Sequence, residues 1–214
     1  MRGIERLPEP QILVERKVDW LATFLASGNK RPDSSKYAHN SIKIQLNSMS
    51  FHKCFYCESK LKGVPKEVDH HIEVSVDRNL SYEWTNLFLS CDNCNNKIPH
   101  NIIPINDALN PCSDTDEIIE ENLTFNKELI EPKNNSDLGL RTIKKYRLDT
   151  ELLDTRRLKH ISMFQDLLLE IRNNQIQENR QHLTVDEINI INSFKRIDNP
   201  YSLMFKILTS KYGL

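Results

Sequence analysis

The sequence predicts an α+β protein that is mostly helical, with a small β-β-helix unit between N-terminal helices and a C-terminal helical region. Three observations lead to this class. Two C-x-x-C pairs stand 33 residues apart. Apolar residues recur at helical spacing on both sides of them. The 214 residues suffice for one domain of upper-middle size or a small domain with a helical annex.

The charge balance of the chain is close to neutral, with 29 Lys and Arg against 30 Asp and Glu. A protein that binds nucleic acid tightly on its own usually carries a basic balance, because phosphate neutralisation supplies most of that affinity. Any nucleic-acid contact must therefore be local or be supplied with the help of a partner. No apolar run is long enough for a membrane span, and no secretory signal is present. We therefore expect a cytoplasmic protein with no membrane partner.

The N-terminal helical segment covers residues 1–50. A helix is predicted over 10–28, and a second, weaker helix over about 35–49. The apolar positions that predict a core-facing stripe on the first helix are Val14, Val18, Leu21 and Leu25. In the second helix they are Tyr37, Ile42, Leu46 and Met49.

Residues 51–111 are predicted to form the zinc-binding core. The segment 51–62 suits a zinc-knuckle turn that leads into a hairpin, and 64–76 is predicted as the second strand. Residues 82–98 regain a helical pattern and would close the β-β-helix unit.

Two stretches of opposite charge follow the core. Residues 112–140 hold eight acidic residues against two lysines, and this composition predicts an acidic, solvated connecting region with short extended pieces. Residues 141–160 hold seven Lys or Arg against three acids. Such a stretch is either a solvated helix face or a surface for a nucleic acid or an acidic partner.

The C-terminal region, 141–214, is predicted to be helical. The positions with core-like spacing are Leu152, Leu158, Ile161, Phe164, Leu168 and Ile171. Thr184 and Glu187 form a capping-box pattern that predicts a new helix start. A last helix is expected to end at Gly213.

The four paired cysteines predict a structural zinc site. Cys54, Cys57, Cys91 and Cys94 supply a complete tetrahedral set of thiolates for Zn²⁺. A redox role for a C-x-x-C pair is the competing interpretation, and the presence of two pairs in one compact segment disfavours it.

Asp69 and His70 lie between the two pairs and offer a different chemistry. A carboxylate can bind a hard divalent cation, while an adjacent imidazole can take a proton from water near neutral pH. A divalent cation offsets the charge that develops when a phosphodiester is hydrolysed. The pair is therefore a candidate site for that reaction.

The pattern C-x-x-C, V-D-H, N-L, C-x-x-C-N resembles the HNH endonuclease family with its ββα-metal finger. The resemblance implies that His70 is the general base and that Asn86 holds the loop that carries it. It also implies that Asp69 and Asn95 are the ligands of a catalytic Mg²⁺ or Mn²⁺, separate from the structural Zn²⁺. Cleavage would leave a 3′-hydroxyl and a 5′-phosphate.

More of the chain is similar to the PtuB-like HNH nucleases of Septu-type antiphage systems, some of which accompany retrons. The similar segments are DALNPCSDTDEIIEENLTF, LGLRTIKKYRLDTELLDTRR and the helices around them. The similarity implies a role in bacterial defence and an ATPase partner of the PtuA type, and it leaves room for a homodimer within the complex. DNA is favoured over RNA as the substrate, because the finger suits the minor groove of a duplex in the enzymes it resembles.

Several alternatives stay open at this point. His71 is a rival base, and Lys97 is a candidate phosphate contact. His71, Ile72 and Glu73 occupy the stretch in which many relatives step shortly from the catalytic His to Pro, so Glu73 is either an extra acid at the site or an outward-facing residue. An RNA endonuclease that cuts tRNA is the alternative within the enzyme class. A catalytically inactive, zinc-stabilised interaction module is the alternative outside it.

Overall fold

The computed structural model describes residues 1–61 and 67–213, and it confirms a mostly helical α+β fold. The helices in this part are α1 Gln11–Ala26, α2 Ser34–Tyr37, α3 Asn40–Met49, α4 Asp92–Asn95, α5 Asp116–Asn122, α6 Asp137–Lys145, α7 Glu151–Gln177, α8 Val185–Ser193 and α9 Ser202–Tyr212. The strands are β1 Glu67–His70, β2 Leu87–Ser90, β3 Leu123–Asn126 and β4 Leu129–Pro132. They form two antiparallel sheets, β1 with β2 and β3 with β4.

Helix α1 forms where it is expected but buries a different face. Val14, Leu25 and above all Val18, which is 72% exposed, point to solvent. The buried residues are Leu13 and Phe24. Of the predicted stripe, Leu21 packs against the core. The other three positions do not, because the helix packs through its aromatic side: the Phe24 and Trp20 rings lie 6.4 and 5.8 Å from that of Tyr82.

The helix predicted over 35–49 is divided into α2 and α3. The break lies at Ala38 and His39, and the His39 ring caps α3 by accepting a hydrogen bond from the Ser41 amide. Ile42, Leu46 and Met49 are buried as expected. The fourth predicted position, Tyr37, instead contacts the ring of His70.

The central sheet differs from the predicted hairpin. The strand expected over 64–76 is observed as β1 and ends at His70, while residues 62–66 lie outside the described residues. The helix expected over 82–98 is wrong for its first half. There β2 pairs with β1 in the register His70↔Leu87 and Glu67↔Ser90, and every residue of β2 is buried. A short apolar run such as Leu87–Ser90 has no clear periodicity that distinguishes a helix from a strand. It forms a strand because it is buried in the sheet with β1.

The acidic region 112–140 is folded and is not a loop. It forms α5 and the hairpin of β3 and β4, so its extended pieces are confirmed. Most of its acids lie outside the core, whereas Ile119, Leu123, Phe125 and Ile130 are buried. The apolar residues between the acids therefore account for the structure.

The C-terminal helices match the prediction in outline. The capping box at the start of α8 is confirmed, with Thr184 and Glu187 bonded reciprocally. In α7, Ile161, Phe164 and Ile171 are buried, but Leu152 and Leu158 are half exposed. The last helix ends at Gly213, which adopts a left-handed conformation.

Helix α9 is joined to the turn that carries the first Cys pair. Tyr201, which precedes α9, provides no side-chain cap. Instead, the buried Glu58 carboxylate accepts hydrogen bonds from the Ser202 amide and hydroxyl, at 3.0 and 2.7 Å. A negative charge at a helix N-terminus is favourable, so Glu58 takes the role of a capping residue.

No helix in the described part of the chain is long and apolar enough to cross a bilayer. The division at residues 50, 111 and 140 stays a prediction.

Candidate functional site

Two neighbouring centres make up the site, and the first is the cluster of four cysteines. The Sγ atoms of Cys54, Cys57, Cys91 and Cys94 lie within 4.8 Å of one another and all four residues are buried. The first pair lies on the turn before β1, and the second lies at the start of α4. A hydrogen bond of 2.9 Å from the Phe55 amide to the Leu89 carbonyl holds the turn against β2.

The donor chemistry of this cluster fits zinc. Four thiolates within reach of one point, with no disulfide between them, are the ligand set of a closed structural Zn²⁺ site. The structure thus brings together the residues that the spacing predicted.

The second centre is a cleft of about 700 Å³ beside the zinc cluster. Asp69 and His70 at the end of β1 line it, together with Asn95 at the end of α4 and Lys97 just beyond. Of the predicted site residues, these four share one solvent-accessible space. Asn86 and His71 lie behind it in the core.

The imidazole of His70 is held in one orientation. Its Nε2 lies 2.9 Å from the Ser81 carbonyl oxygen, which can only accept, so Nε2 carries the proton and Nδ1 keeps the lone pair. The Tyr37 ring packs against the imidazole with 4.6 Å between centroids. Burial lowers the pKa of His70 below its usual value, against the opposing effects of the Ser81 bond and the Asp69 charge. The lowered pKa of His70 favours the neutral imidazole, whose Nδ1 can accept a proton.

The carboxylate of Asp69 is 6% exposed and already faces a cation. The Lys97 ammonium lies 2.8 and 2.7 Å from its two oxygens. The Tyr56 hydroxyl donates to Oδ2 at 2.7 Å. The same ammonium also donates to the His70 carbonyl. Lys97 and Tyr56 thus hold the carboxylate in place at the floor of the cleft.

A second metal site is chemically reasonable beside this carboxylate. Mg²⁺ and Mn²⁺ prefer oxygen ligands, and Mg²⁺ usually binds one or two protein oxygens while keeping several waters. Asp69 offers a carboxylate, the exposed Asn95 offers an amide oxygen, and the cleft has room for water. The residues present fit such a cation.

Asn86 fastens the loop that follows β1. Its Oδ1 accepts a hydrogen bond of 2.7 Å from the Ile72 amide, and its Nδ2 donates to the carbonyls of Ile72 and Leu80 at 3.0 and 3.1 Å. Its own carbonyl accepts from the His71 amide at 2.9 Å. Asn86 is therefore a positioning residue, not a group that could touch a substrate.

His71 is part of the core. It is 6% exposed, and its ring stacks on that of Phe88 with 4.3 Å between centroids. Burial, reinforced by the charges of Lys97, Arg6 and Lys145, lowers the pKa of His71 to about 3. It is thus a poorer base than His70 and does not line the cleft.

Glu73 lines the cleft and forms an ion pair with a buried lysine of α6. The Lys145 ammonium, fully buried on α6, lies 2.9 Å from its Oε1. The Ile98 amide donates to the Lys145 carbonyl at 2.8 Å. This pair therefore connects α6 to the floor of the cleft.

The basic stretch 141–160 is largely neutralised within the fold. Arg141 pairs with Asp107, Lys144 with Asp149, Lys145 with Glu73 and Arg157 with Asp154. Lys145 and Arg157 are also buried. This finding favours the interpretation of the stretch as a structural and solvated face.

Four residues of the site could not be found from the sequence motif. Tyr37, Lys30 and Arg31 line the cleft, and Tyr56 holds Asp69. Tyr56 lies between the cysteines of the first pair, which is a local signal. The other three come from the N-terminal segment and carry no such signal.

Comparison with known proteins agrees with this geometry. The sequence model of the HNH endonuclease family matches residues 54–101, which contain both Cys pairs, Asp69, His70 and Asn95. The chain carries an HNH endonuclease domain. Proteins of this family are nucleases, enzymes that hydrolyse phosphodiester bonds.

Similarity to two curated proteins extends beyond the HNH domain. The chain is 32% identical to the Septu protein PtuB of Bacillus thuringiensis over 54% of this chain and 44% of that protein. It is 30% identical to the Septu protein PtuB of Bacillus mycoides (strain KBAB4) over 58% of this chain and 52% of that protein. The chain spans about half the length of these relatives.

Proposed function

We propose that this chain is a metal-dependent HNH endonuclease that hydrolyses phosphodiester bonds in DNA. The observation that carries the proposal is the placement of His70, Asp69 and Asn95 on one cleft, with the His70 lone pair on Nδ1. A base, a carboxylate and an amide oxygen around one space are what metal-assisted hydrolysis requires.

His70 is the general base of the proposed reaction. Its Nδ1 takes a proton from the water that attacks phosphorus, and the Ser81 carbonyl stabilises the resulting imidazolium through Nε2–H. The bond from phosphorus to the 3′-oxygen breaks, and that oxygen takes a proton from solvent water, which leaves a 3′-hydroxyl and a 5′-phosphate.

Asp69 and Asn95 would hold the catalytic Mg²⁺ or Mn²⁺. When bound, the cation supplies a positive charge next to the phosphate and the leaving oxygen, which lowers the barrier to cleavage. Asn86 acts through the loop it fastens, and Lys97 is placed to contact a phosphate when it leaves Asp69. The four cysteines hold Zn²⁺ and keep the β-β-helix unit folded.

The biological role is proposed from the similarity to the Septu proteins. We infer that the chain acts in the cytoplasm as an effector of antiphage defence, together with an ATPase partner of the PtuA type. The near-neutral charge of the chain supports this role, because a nuclease with weak affinity of its own stays quiet until a partner delivers its substrate.

A cleavage assay tests the proposal. Zinc-loaded protein is incubated with Mg²⁺ or Mn²⁺ and either plasmid DNA or total tRNA, with and without an ATPase partner. The matched variants are His70→Ala and His71→Phe, two neighbouring histidines of which only the first lines the cleft.

We expect DNA cleavage that His70→Ala abolishes and His71→Phe keeps. Cleavage of tRNA instead would retain the mechanism and change the substrate. Absence of cleavage in every combination would contradict the proposal and favour an inactive interaction module.

A further inference from the structure

The cleft has a second wall that does not belong to the HNH domain. Lys30, Arg31 and Pro32, on the loop between α1 and α2, line it together with His70 and Asn95. This wall carries positive charge, in a chain whose formal net charge is −1.

The two cations on this wall are available to a ligand. Lys30 and Arg31 are both exposed, and neither forms an ion pair with another described residue. The other lysine that lines the cleft, Lys97, is already on Asp69. Lys30 and Arg31 are therefore the lysine and arginine side chains lining the cleft that form no ion pair with a described carboxylate.

One short turn fixes the position of both walls. The Arg78 guanidinium, at the start of the turn 78–82, lies 3.1 and 3.3 Å from the carbonyls of Asn29 and Phe24. Its Cζ atom lies 4.6 Å from the centre of the Phe24 ring. The Ser81 carbonyl of the same turn holds His70. The cationic loop and the base thus keep a constant spacing, which lowers the ordering cost of binding.

We propose that Lys30 and Arg31 form a subsite for the backbone phosphates that flank the scissile bond. The inference rests on the proposed nuclease function and extends it to the N-terminal segment. Contacts of this kind set the position and affinity of a nucleic acid without reading its sequence. The ligand class is a duplex sugar-phosphate backbone, of DNA or of RNA.

Salt-dependent binding tests the subsite separately from cleavage. The 214-residue chain carries His70→Ala to prevent cutting. Its affinity for a labelled DNA duplex and for an RNA duplex of equal length is measured over a range of salt concentrations. The test variant adds Lys30→Gln and Arg31→Gln. The control adds Lys159→Gln and Arg172→Gln on α7, two exposed cations outside the cleft, so that the net charge change is the same.

We expect the test variant to lose about 1.8 from the slope of log affinity against log salt for DNA, since each phosphate contact contributes about 0.9. The same loss corresponds to roughly 30-fold weaker binding at 0.15 M salt. The control should keep the slope. An equal loss of slope for both duplexes indicates a subsite that DNA and RNA backbones share. A loss for one duplex alone identifies that nucleic acid as the ligand.

An unchanged slope in the test variant, or an equal loss in the control, would overturn the inference. If the wild type still cuts DNA, the proposed function survives that result. If the His70→Ala chain binds neither duplex at low salt, the subsite is wrong whatever the cleavage assay shows. Equal melting temperatures of the variants and the parent confirm that a lost contact, and not unfolding, is measured.

Discussion

Two asparagines of the HNH domain should respond to alanine substitution in opposite ways. Asn86 is buried and its side chain makes three hydrogen bonds that close the loop after β1. Asn95 is exposed on the cleft, and its side chain has no hydrogen bond to another described residue. Asn86→Ala is therefore a test of fold, and Asn95→Ala is a test of chemistry.

The magnitude for Asn86→Ala follows from the three bonds. A buried hydrogen bond contributes about 0.5–1.5 kcal/mol, so the loss amounts to about 1.5–4.5 kcal/mol. The upper half of this range is expected, because the part-buried amide and carbonyl of Ile72 lose their partners. At about 2–4 °C per kcal/mol for a chain of this size, a loss near 3 kcal/mol lowers the melting temperature by about 6–12 °C.

Thermal unfolding and cleavage are measured on the same zinc-loaded preparations. We expect Asn95→Ala to melt within about 0.5 kcal/mol of wild type, as exposed substitutions do, and to lose metal-dependent cleavage. Asn86→Ala should lose stability first and activity as a consequence. A melting temperature of Asn86→Ala equal to wild type, or a loss of stability in Asn95→Ala, would refute these assignments.

Three further predictions concern the zinc cluster, the cleft and the core. Cys94→Ser should reduce bound zinc from one ion per chain to none, as measured by atomic absorption, and abolish cooperative unfolding in thermal melts. The reason is that metal binding supplies folding free energy. Full zinc occupancy in the variant would contradict this prediction. Lys97→Met should strengthen Mn²⁺ binding about tenfold in electron paramagnetic resonance titrations, because the ammonium competes for the oxygens of Asp69; unchanged or weaker binding would exclude that competition. The His71→Phe variant should lose less unfolding free energy than the wild type as the pH is lowered into the acid range. The pKa of His71 is about 3 in the folded chain and has its usual value of 6.5 in the unfolded chain, so between these pH values only the unfolded chain takes up the proton. As pH falls through this range, the wild type therefore loses up to about 1.4 kcal/mol of unfolding free energy per pH unit relative to the variant. Parallel curves of unfolding free energy against pH, measured in urea, would contradict this.

The cysteine spacing predicted more of the site than any other signal. The structure brings the four sulfurs together, and it places Asp69, His70 and Asn95 on one cleft, where α4 packs against β1. The Asn86 side chain accepts a hydrogen bond from the Ile72 amide in the loop after β1.

Local pattern failed where tertiary packing decided the structure. Leu87–Ser90 has an apolar composition that suits a helix or a strand, and its pairing with β1 is visible only in the fold. The apolar stripe of α1 indicated the wrong face, because the Phe24 and Trp20 rings pack against Tyr82.

Contacts across long sequence separations could not be predicted at all. The pairing of Lys97 with Asp69 and of Lys145 with Glu73 spans 28 and 72 residues. The loop with Lys30 and Arg31 reaches the cleft through Arg78, which no motif marks. Such contacts depend on how the segments are arranged in space and leave no periodic signal.

The central claim is that Asp69 and Asn95 hold a divalent cation beside His70. The most direct measurement is anomalous diffraction from crystals soaked in millimolar Mn²⁺, recorded at the manganese and zinc edges. We predict a zinc peak at the four cysteines and a manganese peak in the cleft, within about 2.0–2.3 Å of oxygens of Asp69 and Asn95. A cleft without manganese, with Lys97 still bound to Asp69, would contradict the account.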